Sequence, residues 1–180
     1  RAAESVYPED NEPQNAMDGI GQASNRTTPL QMAMVASAVA NDGELMKPYM
    51  VDQLRASNLD VIETHDPETL SQPVSSETAQ KLQDMMETVV NDPQGTGGKA
   101  KIGGDITVGG KTGTAQHGVN NKEKPYAWFI SYAKLSDGSS PVAVAVVVED
   151  GAANRGDISG GGVAAPIAKS VMQAVINSKK

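Results

Sequence analysis

The sequence predicts a mixed α/β (α+β) domain in which three strands are flanked by about three helices. Three observations carry this. Residues 106–149 hold three extended runs separated by turn residues, and capped, periodic helical segments stand before and after them. A hydrophobic content of 38% in 180 residues is enough for one buried core. The aromatics are one Trp, four Tyr and one Phe, so that core is expected to be built from Val, Ile, Leu, Met and Ala.

Taken in order, residues 1–26 carry Pro8 and Pro13 without sustained periodicity and read as irregular, with Glu4, Glu9, Asp10 and Glu12 on a solvated face. A helix starts at Thr28-Pro29-Leu30-Gln31, which supplies a capping Thr, Pro at the first helical position and Gln three residues after the cap. Leu30 to Ala40 is almost wholly apolar, so this helix is expected to be buried on most sides. Asn41-Asp42-Gly43 stops it. Residues 44–73 are mixed, with short extended pieces around Met50 to Leu54 and Asp60 to Glu63.

A second helix follows Pro73, capped by Ser75 or Ser76. Ala79, Leu82, Met86 and Val89 recur at helical steps, and Met85 and Val90 widen the stripe. Asn91-Asp92-Pro93 ends it, and a glycine-rich loop runs from Gly95 to Gly104. The strands are then expected at Ile106 to Gln116, Tyr126 to Lys134 and Pro141 to Glu149, with Asp137-Gly138 turning the last two into a hairpin. Val142 to Val148 is apolar on both faces, which predicts a central strand covered on both sides. A closing helix is expected from about Gly162 to Ile176, with Pro166 tolerable only in its first turn.

Composition removes several function classes. With no Cys there is no disulfide framework, thiolate metal site or cysteine nucleophile, and two His leave a zinc site short of donors. A formal charge of −7 argues against nucleic-acid binding through overall charge. That charge is uneven: residues 1–92 carry a net −11, while residues 93–125 carry a net +3 through Lys99, Lys101, Lys111, Lys122 and Lys124. A locally positive, glycine-rich stretch in an acidic chain is suited to an anionic ligand.

The densest chemical candidate lies in that stretch, at Gly109-Gly110-Lys111-Thr112-Gly113-Thr114. A lysine flanked by hydroxyls on a bare backbone is a natural carboxylate or phosphate site. The phosphate-binding loop G-x-x-x-x-G-K-[ST] fails here, because its first glycine falls on Asp105 and no helix follows. Gly156-Asp157-Ile158-Ser159-Gly160 misses the hydrolase elbow G-x-S-x-G by one position. His117 reads as a surface-loop histidine, Met32, Met34, Met85 and Met86 as core filler, and Tyr126 and Trp128 as packing residues.

The K-T-G triplet on a strand is similar to the box of that name in the penicillin-binding proteins and serine β-lactamases. Further segments resemble penicillin-binding transpeptidases in the same order. They are Gly19-Ile20-Gly21-Gln22, Thr28 to Ala33, Lys47-Pro48-Tyr49, Gly95-Thr96-Gly97-Gly98, Lys111 to Gln116, Ala127 to Ile130 and Gly160 to Pro166. The resemblance runs from about residue 19 to 176 and is strongest to the class B, monofunctional transpeptidases, with an actinobacterial character. It implies the penicillin-binding protein and serine β-lactamase-like fold, an antiparallel sheet flanked by helices, of which this chain would hold the C-terminal half.

In that family a serine is acylated by the penultimate D-Ala of a peptidoglycan stem peptide, and the acyl group passes to an amine of a neighbouring strand. By motif position, Lys111 would bring positive charge to the substrate carboxylate and help move protons, and the hydroxyls of Thr112 and Thr114 would bind that carboxylate. The Thr114 N–H would be an oxyanion donor, and Gly113 would keep the strand bare. Lys111 and Thr114 are thus the expected catalytic residues, and Lys111, Thr112, Gly113 and Thr114 the expected substrate-binding residues, with no metal and no cofactor. The implied partners are a stem peptide ending in D-Ala-D-Ala and β-lactams. An upstream membrane anchor would hold the domain on the extracytoplasmic face of the bacterial membrane.

Two boxes of the family are not found ahead of the K-T-G run. No serine ahead of that run is followed three positions later by lysine, Thr78-Ala79-Gln80-Lys81 being nearest. The one Ser-x-x-Lys match, Ser131-Tyr132-Ala133-Lys134, lies after it inside the second expected strand, and Ser24-Asn25 and Ser57-Asn58 lack the spacing of Ser-x-Asn. The family places both boxes N-terminal to the segment seen here. The expectation is therefore that Arg1 lies inside the domain, that residues 1–180 are the C-terminal part of a single transpeptidase domain, and that the other half is a partner in folding and catalysis. The rivals are a sensor or pseudo-enzyme that binds β-lactams without turnover, a serine β-lactamase, and a non-enzymatic scaffold.

Overall fold

The computed structural model describes residues 4–9, 11–151 and 154–179. Arg1 and Asp10, which the sequence singles out, lie outside them. At the N-terminus the structure differs from the irregular segment expected. Helix α1 spans Glu12–Asp18, its N-cap Asn11 accepting from the Gln14 N–H and Pro13 sitting in its first turn, and Val6 and Arg26 form an antiparallel bridge. A seven-residue helix with one cap is too short to show periodicity, which is why the sequence hides it.

Helix α2 spans Pro29–Ala40, with the Thr28 side chain accepting from the Gln31 N–H as its capping pattern requires. Its burial is less complete than expected. Ala36, Ala38 and Val39 are buried, but Leu30 is 52% and Val35 40% exposed. Residues 44–72 form two nested antiparallel ribbons, β1 (Leu45–Met46) with β4 (Thr69–Ser71) and β2 (Gln53–Arg55) with β3 (Val61–Thr64). Helix α3, Ser76–Asn91, is capped by Ser75 and buries Ala79, Gln83, Met86 and Val90. Met85, read as core, is 58% exposed. Gln83 takes its place because its amide is fully engaged: Nε2 donates to the Val39 carbonyl at 2.8 Å and Oε1 accepts from Lys134 Nζ at 3.3 Å.

The sheet that organises the molecule is an antiparallel meander of β5 (Thr107–Ala115), β6 (Tyr126–Lys134) and β7 (Val142–Val148), in that spatial order. The three strand expectations hold to within a residue or two at each end. Gly138, at φ +85°, makes the turn between β6 and β7. The reading of Val142 to Val148 as the central strand does not hold: among the described residues β6 is central and β7 pairs on one side only. Its double-sided apolar pattern comes from its faces, α2 packing on one and the C-terminal helix on the other. That helix, α4, runs Ala165–Ser178 with Pro166 in its first turn, and a π turn over Gly160–Ala164 precedes it.

Two cores result, one on each face of the sheet. The α4 face gathers Val108, Phe129, Ala133, Ala165, Ala168, Met172 and Ile176. The α2–α3 face gathers Val39, Met86 and Tyr132. Two glycines of β5 make room for the largest rings. A Cβ at Gly109 would stand 2.5 Å from the Tyr132 ring, and one at Gly110 would stand 2.4 Å from Phe129 Cζ, on the opposite face. The aromatic rings therefore lie flat across β5 and carry the strand at fixed height between the helices.

Candidate active site on the free edge of β5

The run Lys111-Thr112-Gly113-Thr114 sits in the second half of β5, with Lys111 opposite Ile130, Thr112 opposite Phe129, Gly113 opposite Trp128 and Thr114 opposite Ala127. Strand alternation divides it between faces. Lys111 and Gly113 share the α2–α3 face with Trp128, Ile130 and Tyr132, and Lys111 is exposed there. Thr112 and Thr114 share the α4 face and are half-buried. Gly113 leaves space beside Lys111, since a Cβ there would stand 3.1 Å from Trp128 Cβ.

The backbone of β5 decides what the edge offers. Among the described residues, three of its carbonyls accept from side chains, two from outside the sheet and one from the strand itself: Val108 from Asn91 Nδ2 at 3.3 Å, Thr114 from Gln22 Nε2 at 3.3 Å and Thr112 from Lys111 Nζ at 2.5 Å. All are even-numbered positions, and in an antiparallel pair the N–H and C=O of one residue point the same way. The even residues therefore direct both groups away from β6. With the carbonyls capped, the N–H groups of Thr112 and Thr114 and the ammonium of Lys111 make an edge of donors. Such an edge suits a carboxylate or a developing oxyanion.

Two further segments converge on Thr112 and Gly113. The Thr96 and Thr112 hydroxyls are 2.8 Å apart. A Cβ on Gly161 would fall 1.9 Å from the Thr96 carbonyl oxygen, and one on Gly160 2.1 Å from that of Trp128. The 95–98 loop, β5 and the π turn are thus in backbone contact, which fixes Thr112 from behind. Sequence reasoning saw these glycines as part of a resemblance and missed this role for Thr96; the paired glycine runs were the signal. Beyond the run, Arg155 Nη2 donates to Gln116 Oε1, joining the loop after β7 to the end of β5.

His117 is not the plain surface histidine expected. Half-buried, it stacks on Tyr126 with ring centroids 4.2 Å apart, and its Nε2 lies 2.7 Å from the Lys124 carbonyl oxygen, so it closes the loop between β5 and β6. Lys124 itself pairs with Asp150. Neither approach to a Ser-x-x-Lys box forms a pair. On β6 the buried Ser131 hydroxyl donates to Met172 Sδ at 3.6 Å on the α4 face, while Lys134 Nζ donates to Gln83 Oε1 at 3.3 Å on the other. On α3, Thr78 Oγ1 lies 3.0 Å from the capping Ser75 Oγ, and Lys81 Nζ binds Glu77 at 2.6 Å. A hollow of about 510 Å³ lies between the end of α2 and the start of β7, lined by Ser37, Asn41, Asp42, Ser139 and Val142 among others. None of the four residues of the run lines it. The edge of β5 is an open ledge, and its chemistry is that of the strand.

Among the described residues, no group of three or more His, Asp or Glu side chains gathers where a metal ion would sit, and no helix is long and apolar enough to cross a membrane. Residues 3–173 match the family of the penicillin binding protein transpeptidase domain. A peptidoglycan D,D-transpeptidase PbpA of Mycolicibacterium smegmatis is 42% identical over 161 residues, covering 89% of this chain and 31% of that protein. The PbpA of Mycobacterium tuberculosis strain H37Rv is 37% identical over 164 residues, covering 91% and 32%. The crystal structure of PBPA from M. tuberculosis superposes with a TM-score of 0.85 at 36% identity, over 98% of this chain and 41% of that one. A ceftriaxone acyl-enzyme complex of penicillin-binding protein A from M. tuberculosis gives 0.87 at 35% identity, over 98% and 38%. The chain spans about a third of the length of these curated relatives.

Proposed function

The chain belongs to the penicillin-binding protein transpeptidase domain family, and from that premise we propose that it is the C-terminal part of a single peptidoglycan D,D-transpeptidase domain, supplying the donor edge of the active site but not the nucleophile. The observation that supports this most directly is the outward edge of β5, where Lys111 Nζ and the N–H groups of Thr112 and Thr114 face one side with their carbonyls capped. In the proposed reaction a serine hydroxyl from outside this chain attacks the carbonyl carbon of the penultimate D-Ala. The C–N bond breaks, the terminal D-Ala leaves as a protonated amine, and an amine of a second strand then displaces the serine oxygen.

Lys111 and Thr114 are the catalytic residues in this reading. Lys111 brings its charge to the terminal carboxylate. The Thr114 N–H takes the oxyanion, a contact whose loss typically costs about 3 kcal/mol in barrier. The Thr112 and Thr114 hydroxyls bind the carboxylate, and Gly113 lets the peptide lie against the strand. β-Lactams occupy the same edge as mimics of the D-Ala-D-Ala terminus. A membrane anchor elsewhere in the whole protein, holding the domain outside the cytoplasmic membrane, completes the proposal.

Fluorescent penicillin tests it. The full-length protein is expected to be labelled covalently, and Lys111→Ala to lower the labelling rate on the order of 10²-fold. Undiminished labelling of the variant overturns the role of Lys111. Reversible binding without a covalent adduct in the wild-type protein favours the sensor reading, and rapid release of hydrolysed penicillin the β-lactamase reading.

A further inference from the structure

Gln22 reaches the outward edge of β5 from outside the sheet. Gln22 Nε2 donates to the Thr114 carbonyl oxygen at 3.3 Å, across 92 residues of sequence. The Gln22 backbone is fixed on the end of α1, its N–H donating to the Met17 carbonyl at 3.0 Å, and the neighbouring turn is closed by Asn25 Nδ2 on the Asp18 carbonyl at 2.9 Å. Only its three-torsion side chain is free to swing.

We propose that Gln22 occupies the place of the acyl donor's own amide N–H on the Thr114 carbonyl, and so sets which ligands the site accepts. The inference rests on the transpeptidase reading above and on strand geometry. Two residues in a hydrogen-bonded antiparallel pair exchange both of their bonds. An acyl residue whose carbonyl oxygen takes the Thr114 N–H therefore aims its own N–H at the Thr114 C=O, where the Gln22 carboxamide now stands. At 3.3 Å the existing bond lies just beyond the usual range for N–H···O, so exchanging it for a well-formed bond loses little. A ligand with that N–H replaces Gln22 one bond for one. A ligand without it leaves Gln22 seated, since displacing the amide would strand a carbonyl with no donor.

Penicillin G carries a secondary amide beside its reactive carbonyl; imipenem carries a hydroxyethyl group there. The test compares their acylation rate constants in the full-length protein, wild type and Gln22→Met, a change that keeps length and removes the donor. The expected result is a rise of about three- to tenfold for penicillin G, the scale of one net hydrogen bond, with imipenem unchanged within about twofold. Equal shifts for both compounds, or no shift for either, overturn the proposal. A second measurement needs no variant. In crystals of the two wild-type acyl-enzymes, Gln22 Nε2 is expected to have left the Thr114 oxygen with penicillin G and to remain on it with imipenem. Retention in both overturns it as well. If neither compound acylates the wild-type protein, the transpeptidase reading falls and this inference with it, an outcome distinct from an unmoved ratio.

Discussion

Gly160 is the residue at which the site has least tolerance. Its missing side chain lets the π turn touch the backbone of β6 at Trp128 and of β5 at Gly113, and Trp128 and Gly113 are neighbours in the ladder. Gly160→Ala is expected to destabilise the protein by about 1–3 kcal/mol in urea unfolding, because the obstructing atoms are backbone and have no rotamer to adopt. It is also expected to slow penicillin acylation by shifting β5. Tyr132 makes a different kind of statement. Burial first, and then the Glu87 carboxylate beside it, raise its phenol above the ordinary 10.0. The folded state keeps the proton that the unfolded chain releases, so stability is fully present below about pH 10 and declines as the pH rises above it. Tyr132→Phe is expected to flatten that alkaline decline, read as the difference in unfolding free energy between about pH 8 and about pH 11. An unchanged slope in the variant would show that another group carries it.

Among the elements, those whose residues meet local rules were legible: the capped start of α2, the span of β6 and the hairpin turn at Gly138. Those that depend on partners distant in sequence were not. Periodicity placed Met85 in the core of α3, and Gln83 sits there instead because Lys134 and the end of α2 supply its bonds, which no local pattern records. Gln83→Leu is expected to cost about 1–3 kcal/mol in chemical unfolding, since it leaves the Val39 carbonyl without its donor and the Lys134 ammonium without its acceptor. The double-sided apolar run of β7 could not distinguish a strand with two covered faces from one with two paired edges. The K-T-G run was legible as residue types, whereas the capping of its edge by Asn91 and Gln22 required the tertiary structure.

At the scale of the whole molecule, two surfaces are apolar and unpaired among the described residues: the outer edge of β7 and the exposed side of α2 around Leu30 and Val35. A long valine-rich edge is an invitation to pair with another chain. The 180-residue polypeptide expressed alone is therefore expected to associate, and not to unfold as a cooperative monomer in combined sedimentation and urea experiments. A monomeric two-state transition would refute that expectation. The rings laid over Gly109 and Gly110 carry one more consequence, which concerns assembly. Tyr132 and Phe129 occupy opposite faces, so the two glycines accept them in one alignment of β5 on β6 only. A slip of one residue would drive a ring into a side chain and turn Lys111 toward α4. The glycines thus act as a keyway for the hairpin: a misaligned strand is rejected while the chain is still folding, before a faulty site is ever made.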